Sequence, residues 1–209
     1  KDLTSERKLK PDLFGNKPNR THHEGVKEVF YDPKTVPIPP FLPDTPETRE
    51  ELVHYYQSVS RIDQGVGRLI EILKEAELYE KTLIVFTSDH GMAFAGGKTT
   101  VYEGGLKVPF VVRNPYEEKR GIRQSALISH IDITPSLLDF IGALDPEKNR
   151  PKQWVDPSKY WKEKTYVAKE NRGSAGKLSS YHGRSWIPIL GKPKAKHWET
   201  VFASHTFHE

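Results

Sequence analysis

Residues 83 to 109 read LIVFTSDHGMAFAGGKTTVYEGGLKVP, and this stretch decides the fold. Leu83, Ile84, Val85, Phe86 and Thr87 form an apolar, β-favouring run that stops at Asp89-His90-Gly91. A short apolar run closed by polar residues and a glycine predicts a buried strand of a parallel sheet. In open α/β sheets ligand chemistry gathers just beyond the carboxyl ends of such strands, where Asp89 and His90 stand. Lys98 follows on a loop flanked by Gly96-Gly97 and closed by Glu103-Gly104-Gly105, before a second strand-like run from Val108 to Val112. A carboxylate, an imidazole and an ammonium gathered on one loop point to an anion site with a metal.

On the N-terminal side of this stretch a helix is expected. Thr45 is a capping residue, Pro46 suits the first helical position, and Glu47, Glu50 and Glu51 suit the positive end of the helix dipole. Apolar residues at 52, 55, 59, 62, 66, 69 and 73 form one helical stripe up to about Ala76. Gly65 and Gly67 each cost about 1 kcal/mol relative to Ala in a helix interior, so close packing against the sheet is expected there. Further upstream, seven prolines interrupt residues 1 to 44, which read as an irregular segment with an extended Pro37–Pro43 stretch.

On the C-terminal side, Thr134-Pro135 opens a second helix that Gly142 ends. His130 and Asp132 lie at its start, and Asp132 reads as structural. Residues 146 to 182 read as a variable excursion in which Trp154, Tyr160 and Trp161 anchor the chain or stack on a sugar. Residues 183 to 209 start a further region, with Val201-Phe202-Ala203 as a short strand. The domain reading is therefore 1–44 irregular, 45–145 α/β, 146–182 excursion and 183–209 C-terminal region.

Composition narrows the function classes. Only 35% of the 209 residues are apolar, 29% are charged, and mean hydropathy is −0.67, thin for a large parallel-sheet enzyme. A net charge of +4 and a pI near 9.0 come from dispersed Lys and Arg without a basic block or a nucleic-acid motif, so no nucleic-acid partner is expected. A mildly basic surface suits an anionic substrate. The chain has no Cys, which excludes disulfides and thiolate metal sites. No apolar run approaches 18 residues, so no membrane insertion by a helix is expected. Asn19-Arg20-Thr21 fits a glycosylation sequon.

Asp89-His90-Gly91, then Gly96-Gly97-Lys98, then Tyr102-Glu103-Gly104-Gly105 with Val108-Pro109, resembles the sulfatases of the alkaline phosphatase superfamily. Ser129-His130-Ile131-Asp132 through Pro135-Ser136-Leu137-Leu138 and the turn Gly183-Arg184-Ser185-Trp186-Ile187-Pro188-Ile189-Leu190 are similar to two further segments of that family, in the family's order. The stretch from Tyr31-Asp32-Pro33 to Asp44-Thr45-Pro46, with Arg61 to Gly67, is most similar to the heparan N-sulfatase (sulfamidase) branch. The resemblance implies an α/β fold: part of an alkaline-phosphatase-like mixed sheet flanked by helices, with an irregular N-terminal segment and a partial C-terminal region.

By the same resemblance, Asp89 and His90 are metal ligands and Lys98 contacts the sulfate. The implied metal is a divalent cation, calcium by family habit; His90, where many members have Asn, adds manganese as an alternative because imidazole suits transition ions. The ordinary alternatives stay open: a strand-end Asp capping a turn, and a surface lysine. His205 and His208 occupy a stretch that lies near substrate in sulfamidase-like proteins; Arg172, Lys177 and Arg184 are further candidates for sugar or sulfate contacts. The implied substrate is a sulfated carbohydrate and the implied compartment periplasmic, secreted or lysosomal. The family's formylglycine nucleophile arises from a C-x-P-S-R or S-x-P-x-R segment, and no such segment occurs here. Nor does Thr21-His22-His23-Glu24 match the family's His-x-Pro-His. The expectation is a C-terminal portion of a sulfatase whose N-terminal portion is elsewhere. A phosphodiesterase or phosphonate monoester hydrolase of the same superfamily, or a non-catalytic glycan-binding remnant, are the alternatives.

Overall fold

The computed structural model describes residues 25–144 and 183–203. The chain divides into two compact units, one reaching Pro115 and the other running Tyr116–Ala203, so the division falls inside the 45–145 segment. The excursion 146–182, with its aromatic and basic residues Trp154, Tyr160, Trp161, Arg172 and Lys177, lies outside the described residues, as do His205 and His208.

In the first unit, helix α1 spans Pro46–Glu75 and starts where its capping residues place it. The Thr45 side chain accepts from the Thr48 amide at 3.2 Å, satisfying one of the free donors of the first turn. Arg49 forks onto Asp44, with Nη2 donating to Oδ2 at 2.7 Å, and Nη1 donates to the Pro33 carbonyl at 2.9 Å. The guanidinium holds the Asp44 carboxyl below its ordinary value, chiefly through the hydrogen bond. Further along, Gln64 clamps the Lys27 backbone, accepting at 2.7 Å and donating at 2.8 Å.

Only the first half of α1 is buried. Leu52 and Val53 join Val36 in the core, and Tyr31, Ile38, Leu42, Tyr56, Met92 and Phe94 pack around them. Two of those residues, Met92 and Phe94, come from the loop after Asp89-His90-Gly91, so the core itself anchors that loop. Phe94 sits edge-on to Tyr55 with centroids 5.6 Å apart. The second half of the stripe is uncovered among the described residues: Ile62 is 55% exposed and Leu69 52%. The close packing expected at Gly65 and Gly67 is not seen among the described residues. A Cβ built on either glycine meets nothing within 4 Å.

Strands β1 (Ile84–Thr87) and β2 (Phe110–Arg113) confirm both apolar runs as strands but correct their direction. They pair antiparallel, Ile84 opposite Arg113 and Thr87 opposite Phe110. A parallel pair needs a crossover long enough to return the chain to the same end of the sheet, usually a helix. Here residues 88–109 close on themselves, with only the one-turn helix α2 (Glu103–Leu106), and feed β2 back beside β1. Nor are the strands buried: Phe86 and its partner Val111 are 37% and 61% exposed. The apolar run marked a strand with a face to cover, and the described residues do not cover it. At the far end Arg113 donates to the Tyr79 carbonyl and to Glu80, both at 2.7 Å, and stacks on the Tyr79 ring, stapling the turn Tyr79–Lys81 to β2.

The second unit is organised by Asp132, which is fully buried. A 3₁₀ turn at His130–Asp132 leads into helix α3, Ile133–Phe140, and Gly142 follows at φ +71, the left-handed conformation that ends helices. Asp132 Oδ2 accepts from the Ser129 amide at 2.8 Å and from Trp198 Nε1 at 2.9 Å; Oδ1 accepts from the Arg184 amide at 3.0 Å. One carboxylate thus joins its own turn to two distant segments, matching its structural reading. Ser136 Oγ extends the link, donating to the Asp132 carbonyl at 2.6 Å and accepting from the Trp186 amide at 2.9 Å. Gly183 is required because a Cβ there would lie 2.1 Å from the Ile131 carbonyl oxygen. Residues 201–203 are not a strand, contrary to expectation; the nearest ladder contact is an isolated bridge between Leu127 and Trp198.

Candidate functional site

The loop after β1 is a knot of backbone packed on backbone. Gly91 donates to the Gly105 carbonyl at 2.8 Å, and Lys98 donates to the Met92 carbonyl at 2.7 Å. A Cβ on Gly91 would lie 1.8 Å from the Gly104 oxygen; on Gly97, 2.2 Å from the Met92 oxygen; on Gly105, 2.4 Å from the Gly97 oxygen. These close approaches explain the three Gly-containing clusters. Only glycine lets the Asp-His turn, the Gly96-Gly97 turn and the start of α2 touch through their main chains. Thr100 Oγ1 fastens the middle turn by donating to the Gly97 carbonyl at 2.7 Å.

Within this knot Asp89 and His90 converge. The His90 amide donates to Asp89 Oδ1 at 3.0 Å, and His90 Nε2 lies 3.4 Å from Asp89 Oδ2. The backbone has left the strand here, so consecutive side chains need not alternate faces. His90 Nδ1 is 2.8 Å from the Gly91 carbonyl, which can only accept, so Nδ1 carries a proton. In the neutral ring this leaves Nε2 as a lone pair turned toward the carboxylate. A backbone acceptor fixing one ring nitrogen is the usual support for a metal-bound imidazole. Ligand bonds of about 2.1–2.4 Å at roughly right angles place neighbouring donors just over 3 Å apart. The pair therefore fits two adjacent positions on one divalent ion. It supplies no more than two: among the described residues no group of three or more His, Cys, Asp or Glu gathers.

Lys98 belongs to the same knot through its backbone, and its side chain is exposed. The next residue, Thr99, has φ +67. A β-branched residue in the left-handed region is strained, and nothing in the sequence pattern marks this position. Glu103 lies 3.8 Å from Lys107 on the exposed side of α2, an ordinary i,i+4 surface pair.

Around Asp132, sequence reasoning singled out Arg184 but missed His197 and Trp198. His197 is buried, with Nε2 3.4 Å from Asp132 Oδ2. Burial pushes this imidazole below its ordinary value; Asp132 opposes the shift and Arg184 adds to it. Nε2 makes no hydrogen bond among the described residues, and the lowered value favours the neutral ring beside the carboxylate. The Arg184 guanidinium lies 3.5 Å over the Trp198 ring. These residues floor an open cleft of about 560 Å³, lined by Arg184, the run Lys196–Thr200 and Phe202. The available signal was the interleaving of Lys194, Lys196, His197, Trp198 and Glu199 within six positions.

Comparison with known proteins agrees with the knot's motif. The family model described as Sulfatase matches residues 6–143. The chain is 35% identical over 180 residues to N-sulphoglucosamine sulphohydrolase of Homo sapiens, covering 86% of this chain and 31% of that protein. It is 31% identical over 130 residues to an ulvan-active sulfatase of Formosa agariphila, covering 62% and 22%, and 34% identical over 97 residues to N-acetylglucosamine-6-O-sulfatase of Bacteroides thetaiotaomicron, covering 44% and 17%. The chain thus spans under a third of the length of each of these relatives. A match over most of the chain, which includes the segment that builds the Asp89–Lys98 knot, places this chain in the sulfatase family of hydrolases.

Proposed function

We propose that this chain carries the Asp89, His90 and Lys98 part of a sulfatase active site acting on a sulfate ester or N-sulfate of a glycan. The observation that carries the reading is the convergence of Asp89 Oδ2 and His90 Nε2, 3.4 Å apart, in the glycine knot to which Lys98 is tied. The two side chains hold a divalent cation, calcium by family habit, with the imidazole donor leaving room for manganese. A cation held there would supply charge to orient and polarise a sulfate oxygen. The Lys98 ammonium binds a second sulfate oxygen and offsets the charge that develops on the leaving oxygen. Its exposure on a backbone-fixed turn lets it meet substrate without first breaking a buried contact. The formylglycine expected of the family comes from outside these 209 residues, and the chain is one portion of the working enzyme. The glycan substrate is supported by the relatives whose names specify sulfated sugars.

The test is a side-by-side assay of the protein that contains this chain on an aryl sulfate, an N-sulfated glucosamine disaccharide and an aryl phosphodiester. Sulfate release that falls in Lys98→Ala supports the reading. Preferred turnover of the phosphodiester replaces it with the phosphodiesterase alternative, and glycan binding with no turnover of any of the three replaces it with the non-catalytic one.

A further inference from the structure

We infer that the cleft at Arg184 and Lys196–Phe202 is a subsite for one sulfate-bearing sugar ring of a glycan; the sulfate in this inference rests on the function proposed above. The cleft lies wholly within the second unit and shares no residue with the Asp89–Lys98 knot. Its volume of about 560 Å³ falls in the range of small-ligand sites, about 300–1,000 Å³.

Its floor is built before any ligand arrives. Trp198 is locked on three sides: its Nε1–H donates to buried Asp132 at 2.9 Å, His197 stands edge-on with centroids 5.7 Å apart, and the Arg184 guanidinium lies over the ring at 3.5 Å. Arg184 is itself held by its backbone amide on Asp132 Oδ1. An aromatic surface and a cation already fixed in place lose little freedom on binding, and that preorganisation favours affinity.

The rim matches the chemistry of an anionic sugar. Lys196 is exposed and adds a second cation. Phe202, 77% exposed, presents an aromatic face suited to the C–H face of a pyranose. Exposed Thr200 and Glu199 offer a hydroxyl and a carboxylate to sugar hydroxyls. Among the lining side chains the cations Arg184 and Lys196 outnumber the single carboxylate, Glu199, while the buried Asp132 carboxylate beneath the floor is engaged by three N–H donors.

The experiment is calorimetric titration of the 209-residue chain with a heparin-derived tetrasaccharide and with its desulfated, N-acetylated counterpart, which keeps the uronic carboxylates. The sulfated probe should bind, and the desulfated one at least about tenfold more weakly, as expected when charge-assisted contacts are lost. Lys196→Ala and Phe202→Ala should each weaken the sulfated probe on the order of tenfold, with the denaturation midpoint unchanged because both side chains are exposed. No binding by the parent chain, equal binding of the two probes, or parent-like affinity in both variants overturns the inference. If Lys98→Ala alone lowers affinity, the cleft is overturned while the Asp89–Lys98 reading stands. Because the readout is binding and not turnover, failure of the sulfatase reading in its own assay is seen separately.

Discussion

Gly91→Ala and Gly65→Ala are the same chemical change and should move stability in opposite directions. A Cβ on Gly91 would sit 1.8 Å from the Gly104 oxygen, 2.7 Å from the Gly104 carbonyl carbon and 2.9 Å from the Gly105 Cα. The nearest of these is far inside the roughly 3.3 Å of close C–H···O contacts, and all three are backbone atoms that cannot rotate away. Forcing a methyl into a packed site costs about 1–3 kcal/mol, and parting the two strands of the knot also loses the Gly91–Gly105 hydrogen bond, about 1 kcal/mol net. A destabilisation of about 3 kcal/mol follows. Gly65 lies inside α1 with open space around its Cα, and Ala there gains about 1 kcal/mol from helix propensity. With a urea dependence of about 2 kcal/mol/M, the midpoint of the 209-residue chain should fall by roughly 1.5 M for Gly91→Ala and rise by roughly 0.5 M for Gly65→Ala. Equilibrium urea unfolding followed by circular dichroism measures both. A Gly91→Ala midpoint within about 0.3 M of the parent would refute the backbone-packed knot; a lowered midpoint for Gly65→Ala would refute the open face of α1.

Four further outcomes are expected. In the enzyme, Lys98→Ala should lower sulfate turnover on the order of 10²–10³-fold while changing stability by about 0.5 kcal/mol or less, and Lys98→Arg should recover part of the rate; near-normal turnover of Lys98→Ala would show that the sulfate contact lies elsewhere. The 209-residue chain alone should show no sulfatase turnover in the aryl sulfate assay. Asp132→Ala should destabilise the second unit by about 3 kcal/mol or more, since it strips a buried acceptor from the Ser129 and Arg184 amides and the Trp198 indole, and loss of the shifted Trp198 indole resonance would report it. His197, whose folded-state value lies below the ordinary one, favours the neutral ring; its contribution is full above the unfolded value of about 6.5 and is lost as pH falls through that value toward the folded one. Urea midpoints should therefore drop between pH 7 and 5, and the drop should flatten in His197→Gln.

What the sequence disclosed was local. Thr45, Pro46 and the acidic first turn announce α1 because a cap acts within four residues. Gly142 announces the end of α3 for the same reason. The apolar runs at 83–87 and 108–112 announce strands, but periodicity carries no information on the partner, and the antiparallel pairing was decided by the loop between them. The candidate trio Asp89, His90 and Lys98 was visible as residue types at a strand end. The contacts that hold them were not, because they join main-chain atoms of Gly91 to Gly104 and of Gly97 to Gly105 and leave no trace in side-chain chemistry. Asp132 could be read as structural, yet its partners Arg184 and Trp198 are 52 and 66 residues away and no local rule finds them.

The knot keeps its shape independently of the side chains proposed to meet the metal. Its shape is set by glycines meeting backbone, by the Thr100 hydroxyl, and by Met92 and Phe94 held in the α1 core. None of these contacts uses the Asp89, His90 or Lys98 side chains. The Asp89 carboxylate is 82% exposed, and the His90 ring is fastened through Nδ1 to the Gly91 carbonyl. Fold and chemistry are therefore assigned to different atoms of the same loop. His90→Asn should leave the urea midpoint nearly unchanged while replacing a nitrogen donor with an amide oxygen. That exchange should shift metal preference toward calcium, the hard oxygen-seeking ion, and away from manganese. Competition between the two ions, followed by sulfate turnover of the enzyme carrying each variant, reads the shift directly. An unchanged calcium-to-manganese preference in His90→Asn would mean that the imidazole does not reach the ion.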